Sequence, residues 1–403
     1  MNKVNYKRLG DYIREVDVRN DDGGINTLLG INIDKFFMPS VANVVGTDLT
    51  LYKVVDKNQF ACNRMHVGRD KRLPVALSTK EEKFIVSPAY DVFEIIDKQK
   101  LLPDYLMMWF SRAEFDRNTW FYTDADVRGG LSWNTFSDMQ LPVPLLEKQH
   151  EIVNEYNAIQ NRIDLNSQLI QKLEETAQAI YKQWFVDFEF PDENDKSYKS
   201  NGGEMVESEM GEIPKGWRVT TVQDFCIDMK SGGTPNRDIM KFWNSKDIPW
   251  LKTGEIHNNI VYQSEEYISE EGFKSSSAKK LPKDTVLMAM YGATAGQLGI
   301  LKFEACTNQA CCGMICENPQ QSAYLYYSLL YNQEFIKSQA IGGAQENLSK
   351  NFIEKLPILK PTDNILNDDI FKTITNDKEI LTLEIDNLEI LAELLLSKMA
   401  KGR

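Results

Sequence analysis

Histidine and paired cysteine are scarce in this sequence. It has three histidines, His66, His150 and His257, and none of its six cysteines forms a C-x2-C pair. Because structural zinc sites need such closely spaced ligands, we expect no metal site. The cysteine-rich run at residues 310–316 is better explained as a buried strand, in which free cysteine behaves as a small hydrophobe.

Long apolar runs are also absent. No stretch of about 18 consecutive apolar residues occurs anywhere in the sequence. The N-terminal residues are charged throughout and lack the apolar segment of a signal peptide. We therefore expect a soluble, cytoplasmic protein with no membrane partner.

Motifs that would indicate catalysis are missing. The sequence has no P-loop, no nucleophile elbow and no convincing set of nuclease carboxylates. The Asn-Pro-Pro-aromatic tetrapeptide of amino-methyltransferases is absent as well, because Asn318-Pro319 is followed by two glutamines. A nuclease or methyltransferase acting alone would need such residues, so the sequence favours a non-enzyme with no catalytic residues.

The sequence does contain two long stretches of helical periodicity. In the first, apolar residues recur every three or four positions around Asn166, with no glycine or proline between them. This spacing is typical of a coiled-coil seam, and a helix of about 40 residues would extend for roughly 60 Å, so it requires a partner helix. The seam positions of this central helix are Ile152, Tyr156, Ile159, Ile163, Ile170, Leu173, Ala177, Ile180 and Trp184.

A second seam near the C-terminus repeats the first at an offset of 215 residues, so that Ile163 corresponds to Lys378. The flanks repeat as well: Leu131-Ser132 is matched by Leu348-Ser349 at an offset of 217. The chain is therefore predicted to be an internal duplication. The seam positions of the second helix are Phe371, Ile374, Leu381, Ile385, Leu388, Ala392, Leu395 and Met399.

Two polar residues, Asn166 and Lys378, interrupt these seams at positions that are not equivalent in the repeat. A polar side chain in a seam can fix the register or orientation of paired helices. It can equally face a partner subunit or solvent, and the sequence favours neither explanation.

The pattern predicts an α+β protein with two globular domains and two long helices. The predicted bounds are 1–146 and 215–361 for the domains, 147–190 and 362–403 for the helices, and 191–214 for a polar linker. The net charges of the two domains are −1 and +1, whereas the central helix with the linker carries −9 and the last helix −4. The overall charge of −13 therefore does not exclude nucleic-acid binding by the domains, although it does not suggest it.

Local segments of the first domain give further expectations. Strands are predicted at residues 48–55, 83–86 and 91–96, and a helix at residues 103–117. Residues 63–72 form the most basic loop of this domain, which either contacts nucleic acid or is simply a solvated loop. In the second domain, the Gly-rich turn at residues 231–235 lies beside Lys230 and could cradle a phosphate, although GxxxxGK[ST] is absent.

Several motifs together resemble the specificity subunit of type I restriction-modification enzymes. They are Ser87-Pro88-Ala89-Tyr90, residues 141–149 at the start of the central helix, residues 213–217 (Ile-Pro-Lys-Gly-Trp), residues 231–235 (Ser-Gly-Gly-Thr-Pro), Asn308-Gln309-Ala310 and residues 342–349. The resemblance covers nearly the whole chain, but no single motif is decisive.

The resemblance implies two target-recognition domains that read the two parts of a bipartite sequence in double-stranded DNA. The two conserved helices would pack antiparallel as a spacer between them. Such a subunit recruits two methyltransferase subunits and, with them, restriction/translocase subunits. S-adenosylmethionine, ATP and Mg would belong to those partners and not to this chain.

Arg, Lys, Asn and Gln are the residues that most often contact bases and phosphates. The local charge predicts DNA contacts at Arg64, Arg69, Lys71, Arg72, Arg128, Lys230, Arg237, Lys252, Lys279, Lys280 and Gln345. A coiled-coil scaffold with two protein-binding heads is the competing interpretation. It explains the helices and the missing catalytic motifs, but it gives no reason for basic loops in both heads.

Overall fold

A computed structural model describes residues 6–41, 46–123, 130–340 and 347–399, together with the backbone but not the side chain of His66. The chain is α+β and divides into two compact units. The first unit is Met1–Asp164 with Ile385–Arg403, and the second is Leu165–Glu384. In the described part of the chain, no helix is both long enough and apolar enough to cross a membrane.

The first unit is built on short antiparallel strands and four helices. Its central sheet has the strand order β2-β9-β6-β7, and three strand pairs, β1-β10, β3-β4 and β5-β8, surround it. The strands are β1 (Tyr6–Arg8), β2 (Ile13–Val16), β3 (Leu29–Ile31), β4 (Phe37–Pro39), β5 (Lys53–Val55), β6 (Gln59–Cys62), β7 (Val75–Leu77), β8 (Phe84–Val86), β9 (Asp91–Ile95) and β10 (Gln140–Pro142). The helices are α1 (Val67–Asp70), α2 (Pro103–Phe110), α3 (Ala113–Phe121) and α4 (Trp133–Asp138).

Three local predictions for this unit need correction. The strand expected at residues 48–55 begins only at Lys53, because Asp48 caps a 3-10 turn by accepting a hydrogen bond from the Thr50 N–H at 3.0 Å. The helix expected at residues 103–117 is two helices, α2 and α3, since Arg112 adopts an extended conformation between them. The basic loop at residues 63–72 is largely helical and contains α1.

The second unit has two larger sheets. One has the strand order β14-β21-β18-β19-β16 and the other β17-β15-β20, and β11-β12 and β13-β22 form separate pairs. The strands are β11 (Met205–Ser208), β12 (Gly211–Pro214), β13 (Arg218–Thr221), β14 (Asp228–Ser231), β15 (Ile248–Leu251), β16 (Asn259–Val261), β17 (Glu266–Ile268), β18 (Val286–Ala289), β19 (Leu298–Leu301), β20 (Cys306–Thr307), β21 (Cys311–Ile315) and β22 (Pro357–Lys360). Every residue of β21 is buried, as expected for the cysteine-rich run.

The helices of the second unit are mostly short. The longest of them, α8, begins with Pro319 at its first turn and buries a row of tyrosines and leucines against the sheet. The helices are α6 (Val222–Phe225), α7 (Glu270–Lys274), α8 (Pro319–Tyr331), α9 (Gln333–Ser338), α10 (Lys350–Glu354) and α11 (Asp363–Leu366).

The two long helices are α5 (Leu146–Phe185) and α12 (Ile370–Met399), and both are shorter than the predicted bounds of 147–190 and 362–403. The central helix ends early because Phe188 has a positive φ of 61°. The last helix begins only at Ile370, because the short helix α11 precedes it in the chain. The Asp368 side chain caps the start of the last helix by accepting a hydrogen bond from the Ile370 N–H at 2.8 Å. The predicted linker contains the β11-β12 hairpin.

Each unit contains one segment of α5 and one segment of α12. In the first unit, Ile152 shares a core cluster with Met399, and Ile159 shares one with Ala392 and Leu395. Since higher numbers on α5 meet lower numbers on α12, these segments run antiparallel. In the second unit, the rings of Phe185 and Phe371 lie 6.0 Å apart, and the Glu174 carboxylate meets the Lys378 ammonium, which gives the same antiparallel direction.

Candidate nucleic-acid interface

A basic cleft of about 360 Å³ lies on the first unit between α3, the residues that follow α1 and the segment that joins β3 to β4. The structure brings Lys71 and Arg72, both predicted DNA contacts, together with Arg117 of α3 at this cleft. Lys71 lies just beyond α1 with a positive φ of 55°, and its Nζ lies 5.0 Å from the centre of the Trp120 ring. Arg72 forms an ion pair with Asp34 at 3.0 Å, and its side chain remains 53% exposed.

The floor of this cleft is a buried ion pair. Lys35 Nζ lies 2.9 Å from Asp116 Oδ1 and also donates to the Phe110 carbonyl. Burial lowers the pKa of Lys35, whereas the Asp116 carboxylate opposes that shift. The same Asp116 oxygen accepts the Leu73 N–H at 3.1 Å. This shared carboxylate therefore ties α3 to the chain segment that carries Lys71 and Arg72.

Two other candidates in the first unit already have protein partners. Arg64 is largely buried, with its Nε 2.7 Å from Asp91 and a second hydrogen bond to the Leu131 carbonyl. Its geometry is that of a residue that joins β9 to the segment before α4. Arg69 is exposed and pairs with its neighbour Asp70 at 2.6 Å. Arg128 lies outside the described residues.

Sequence reasoning missed Arg117 and the aromatic residues that follow it. The predicted helix ended at residue 117, whereas α3 continues to Phe121. Residues three and four positions apart lie on one face of a helix, which places Trp120 and Phe121 beside Arg117. A cation followed by aromatics at this spacing was the signal that could have identified them.

In the second unit, the Gly-Gly-Thr-Pro turn packs tightly against protein. A Cβ added at Gly232 would lie 2.1 Å from the Thr307 carbonyl oxygen, so only glycine fits there. Thr234 Oγ1 donates to Gln309 Oε1 at 2.6 Å, and Trp250 Nε1 donates to the Gly233 carbonyl at 2.9 Å. The turn is thus held against the Asn308-Gln309 segment by contacts with both backbone and side chains.

Just after this turn, a guanidinium lies against two indole rings that contact each other edge to face. The Arg237 guanidinium is 3.6 Å from the Trp243 ring centre and 4.7 Å from that of Trp250, and it forms an ion pair with Glu266. Lys252 reaches the same Glu266 carboxylate at 3.0 Å. Burial opposes ionisation of Glu266, but these two cations hold its pKa below the usual range.

The remaining candidates of the second unit are scattered. Lys230 pairs with Asp228 at 3.3 Å, and Lys280 pairs with Glu304 at 3.4 Å. Lys279 is exposed. Gln345 lies outside the described residues. The structure therefore brings together Arg237 and Lys252 but not the other candidates of this unit.

Ligands for a metal ion are not grouped in the described ranges, where no set of three or more His, Cys, Asp or Glu side chains could hold one. Burial raises the pKa of the Cys312 thiol to about 12, which disfavours the thiolate that a metal ion would need there.

Comparison with known proteins finds similar chains among type I restriction enzyme specificity subunits. A family model described as the type I restriction modification DNA specificity domain matches residues 214–394. The HindI type I restriction enzyme specificity subunit of Haemophilus influenzae is 24% identical over 457 aligned positions, which span 98% of each chain. Over nearly its whole length, the chain is thus similar to specificity subunits of type I restriction-modification enzymes.

Other specificity subunits are similar over a smaller part of the chain or in fold alone. The MjaIX specificity subunit of Methanocaldococcus jannaschii is 24% identical over 306 positions, which cover 72% of this chain and 67% of that protein. The solved specificity (S) subunit of the M. genitalium type I restriction-modification system has a TM-score of 0.61 at 12% identity. That similarity covers 99% of this chain and 97% of the solved chain and supports the α+β fold.

Proposed function

We propose that this specificity subunit reads a bipartite DNA target, with one part contacted by each unit. The observation that carries the proposal is that each unit presents exposed cations against tryptophan rings. These are Lys71 over Trp120 in the first unit and Arg237 over Trp243 in the second. Cations can hold the phosphate backbone, while the same residue types and stacked aromatics can contact bases.

We further propose that the chain is an internal duplication whose two long helices act as a spacer. The offset of 215 residues between the seams supports it, and so does the antiparallel contact of an α5 segment with an α12 segment in each unit. In such an arrangement, the gap between the two half-sites depends on helix length, just as half-site spacing follows from the dimer geometry in dimeric DNA-binding proteins.

Exposed apolar residues on the long helices support recruitment of partner subunits. In the first unit, Ile390, Leu391 and Leu394 of α12 are about half exposed. In the second unit, Leu165 and Ile380, which are equivalent in the repeat, are also exposed. Patches of this kind favour protein interfaces. We propose that two methyltransferase subunits bind here, and that restriction/translocase subunits join through them.

The proposed division of labour leaves no chemistry for this chain. S-adenosylmethionine, used for methyl transfer, would be held by the methyltransferase subunits. ATP and Mg would be held by the restriction/translocase subunits.

Affinity purification of the chain from its native cells, with stoichiometry by mass spectrometry, tests this function. We expect a methyltransferase at two copies per chain, and sequencing of methylated DNA should then reveal a target with two specified parts. Recovery of the chain alone or with unrelated proteins, together with no DNA affinity, would favour the scaffold with two protein-binding heads.

The spacer proposal has its own test. One heptad is inserted between Asp164 and Leu165 and another between Glu384 and Ile385, where the two units meet in sequence. Seven residues add about 10 Å of helix, so we expect the unspecified gap to grow by about three base pairs with both half-sites unchanged. A heptad in α5 alone is the matched control, since it shifts one seam against the other. Altered half-sites in the double insertion would contradict the proposal.

A further inference from the structure

Three consecutive aromatic residues stand exposed at the end of α3. Trp120, Phe121 and Tyr122 are 44%, 79% and 53% exposed, and Phe121 is the most exposed aromatic side chain within the described ranges. The rings of Phe121 and Tyr122 meet edge to face with centres 5.2 Å apart. Phe121 therefore contributes little to the core, although leaving a large apolar ring in water is unfavourable.

The charge around this group is favourable for a polyanion. The cleft beside α3 is lined by four cations, Lys35, Lys71, Arg72 and Arg117, and by two carboxylates, Asp34 and Asp116. A third carboxylate, Glu114, pairs with Arg117 at 3.1 Å, so the cations exceed the carboxylates by one. This local excess of positive charge occurs in a chain whose net charge is −13. Local charge, not net charge, governs attraction to a phosphate backbone.

Helix geometry places the aromatic group at the edge of that cleft. Arg117 lines the cleft and lies four residues before Phe121, so the two side chains project from the same face of α3. Trp120 is held by Lys71, whose Nζ lies 5.0 Å from its ring centre. Cations of the kind that can bind phosphates therefore lie beside the exposed ring of Phe121.

We propose that Phe121 inserts into the base stack of the DNA held by the first unit, while Lys71, Arg72 and Arg117 contact the flanking phosphates. The inference rests on the proposed DNA-reading function and assigns to one side chain the distortion of the first half-site. Apolar side chains that enter a base step unstack it and kink the duplex by about 20–90°. Phe121 thus makes the affinity for this half-site depend on how easily its sequence unstacks.

The test uses the complex purified with its co-purifying subunits and a duplex that carries the target found by methylome sequencing. Fluorophores at the two ends report bending by energy transfer, and permanganate reports unstacked thymines. Phe121→Ala is compared with Phe121→Trp, which keeps an aromatic ring. Phe335→Ala is the matched control, because Phe335 is also an exposed phenylalanine, 55% exposed, but lies on the second unit.

We expect Phe121→Ala to lose the bend and the permanganate signal of the first half-site and to bind about 5- to 100-fold more weakly. Its melting temperature and co-purifying subunits should not change, because the ring is exposed. Phe121→Trp and Phe335→Ala should behave like the unmodified chain.

Other outcomes distinguish a failure of the Phe121 proposal from a failure of the proposed DNA-reading function. If the Phe121→Ala complex keeps the bend and the affinity, the proposed insertion of Phe121 is wrong, while DNA reading by the unmodified complex still stands. If the Phe121→Ala complex loses a subunit but the remaining complex bends DNA normally, the aromatic group is a protein contact and the proposed insertion of Phe121 is again wrong. If the unmodified complex has no affinity for the duplex, the proposed function is wrong, and the proposed insertion of Phe121 is wrong as well.

Discussion

The contact between the long helices differs in composition between the two units. In the first unit, Ile159 packs with Ala392 and Leu395, and Ile163 and Leu388 extend this apolar cluster. In the second unit, the residue 215 positions after Ile163 is Lys378, whose side chain is 3% exposed. The helix contact of the first unit is thus apolar, whereas the helix contact of the second unit contains a buried charge.

The buried charge in the second unit is well paired. Lys378 Nζ lies 2.7 Å from Glu174 Oε2, and Tyr327 donates its hydroxyl to the same oxygen at 3.4 Å. A second buried lysine, Lys302, meets Asn376 Oδ1 at 3.0 Å and Glu379 at 3.5 Å on the same helix. Two separate cations therefore fix this segment of α12.

The difference suggests a division between stability and orientation. Apolar burial stabilises paired helices but is not directional, so several alignments can satisfy it. A buried ion pair costs desolvation energy and is satisfied in only one alignment. We infer that the first unit contributes stability to its helix pair, while the ion pairs of the second unit fix the alignment.

The largest effect should come from placing a charge in the apolar contact. Ile159 is 7% exposed, so Ile159→Asp would bury a carboxylate without a partner. We expect a loss of roughly 4 kcal/mol or more, enough to unfold the first unit. Calorimetry of the full chain measures this as a lost or lowered transition.

Asn157→Asp is the matched control for that change. Asn157 lies on the same helix but is exposed, so the new charge stays in water and the transition should not move. Equal effects of the two substitutions would contradict the importance of the apolar contact.

Removing the buried cation of the second unit should have the next largest effect. Lys378→Met leaves the Glu174 carboxylate without its ion-pair partner, and such losses cost about 3–5 kcal/mol. Adding Glu174→Leu removes the orphaned charge, so the double variant should recover most of the loss. Denaturant unfolding of the two single variants and the double variant gives the coupling energy.

An exposed pair provides the control for this cycle. Lys172 is 73% exposed and pairs with Glu175 at 2.6 Å. Lys172→Met should change the free energy of unfolding by less than about 1 kcal/mol. A double variant at Lys378 and Glu174 that is no more stable than Lys378→Met would show that the carboxylate is not the cause of the loss.

These two contacts also show what the sequence could and could not predict. The seam depends on a local spacing of apolar residues, and every predicted seam position is buried or half-buried in the structure. The cysteine-rich strand was predictable for the same reason, since its composition alone favours burial. By contrast, Glu174 precedes Lys378 by 204 residues, and no local pattern identifies such a partner.

The candidate site was harder to predict from the sequence for this reason. A basic segment shows where cations are, but not which carboxylates approach them in the fold. Arg64 illustrates the problem, because Asp91 on another strand pairs with it. Phe121 was missed because the helix that carries it continues past the predicted end at residue 117.

The smallest effect is expected at a second position where the two seams differ, with a polar residue in one seam and an apolar residue in the other. Asn166, which lies 215 positions before Leu381, is fully buried, and neither its Oδ1 nor its Nδ2 has a hydrogen-bond partner among the described residues. A buried amide without partners costs about 1–3 kcal/mol. Asn166→Leu should therefore raise the free energy of unfolding by an amount of this size.

The same substitution shows whether orientation is obtained at the expense of stability. If Asn166 restricts the alignment of the helices, Asn166→Leu should unfold at higher denaturant concentration and yet recognise half-sites with more than one spacing. Asn157→Leu, on the exposed face of α5, controls for the added apolar surface. A less stable Asn166→Leu variant would mean that the amide is hydrogen-bonded in solution, and alignment would then depend on the Lys378 and Lys302 ion pairs alone.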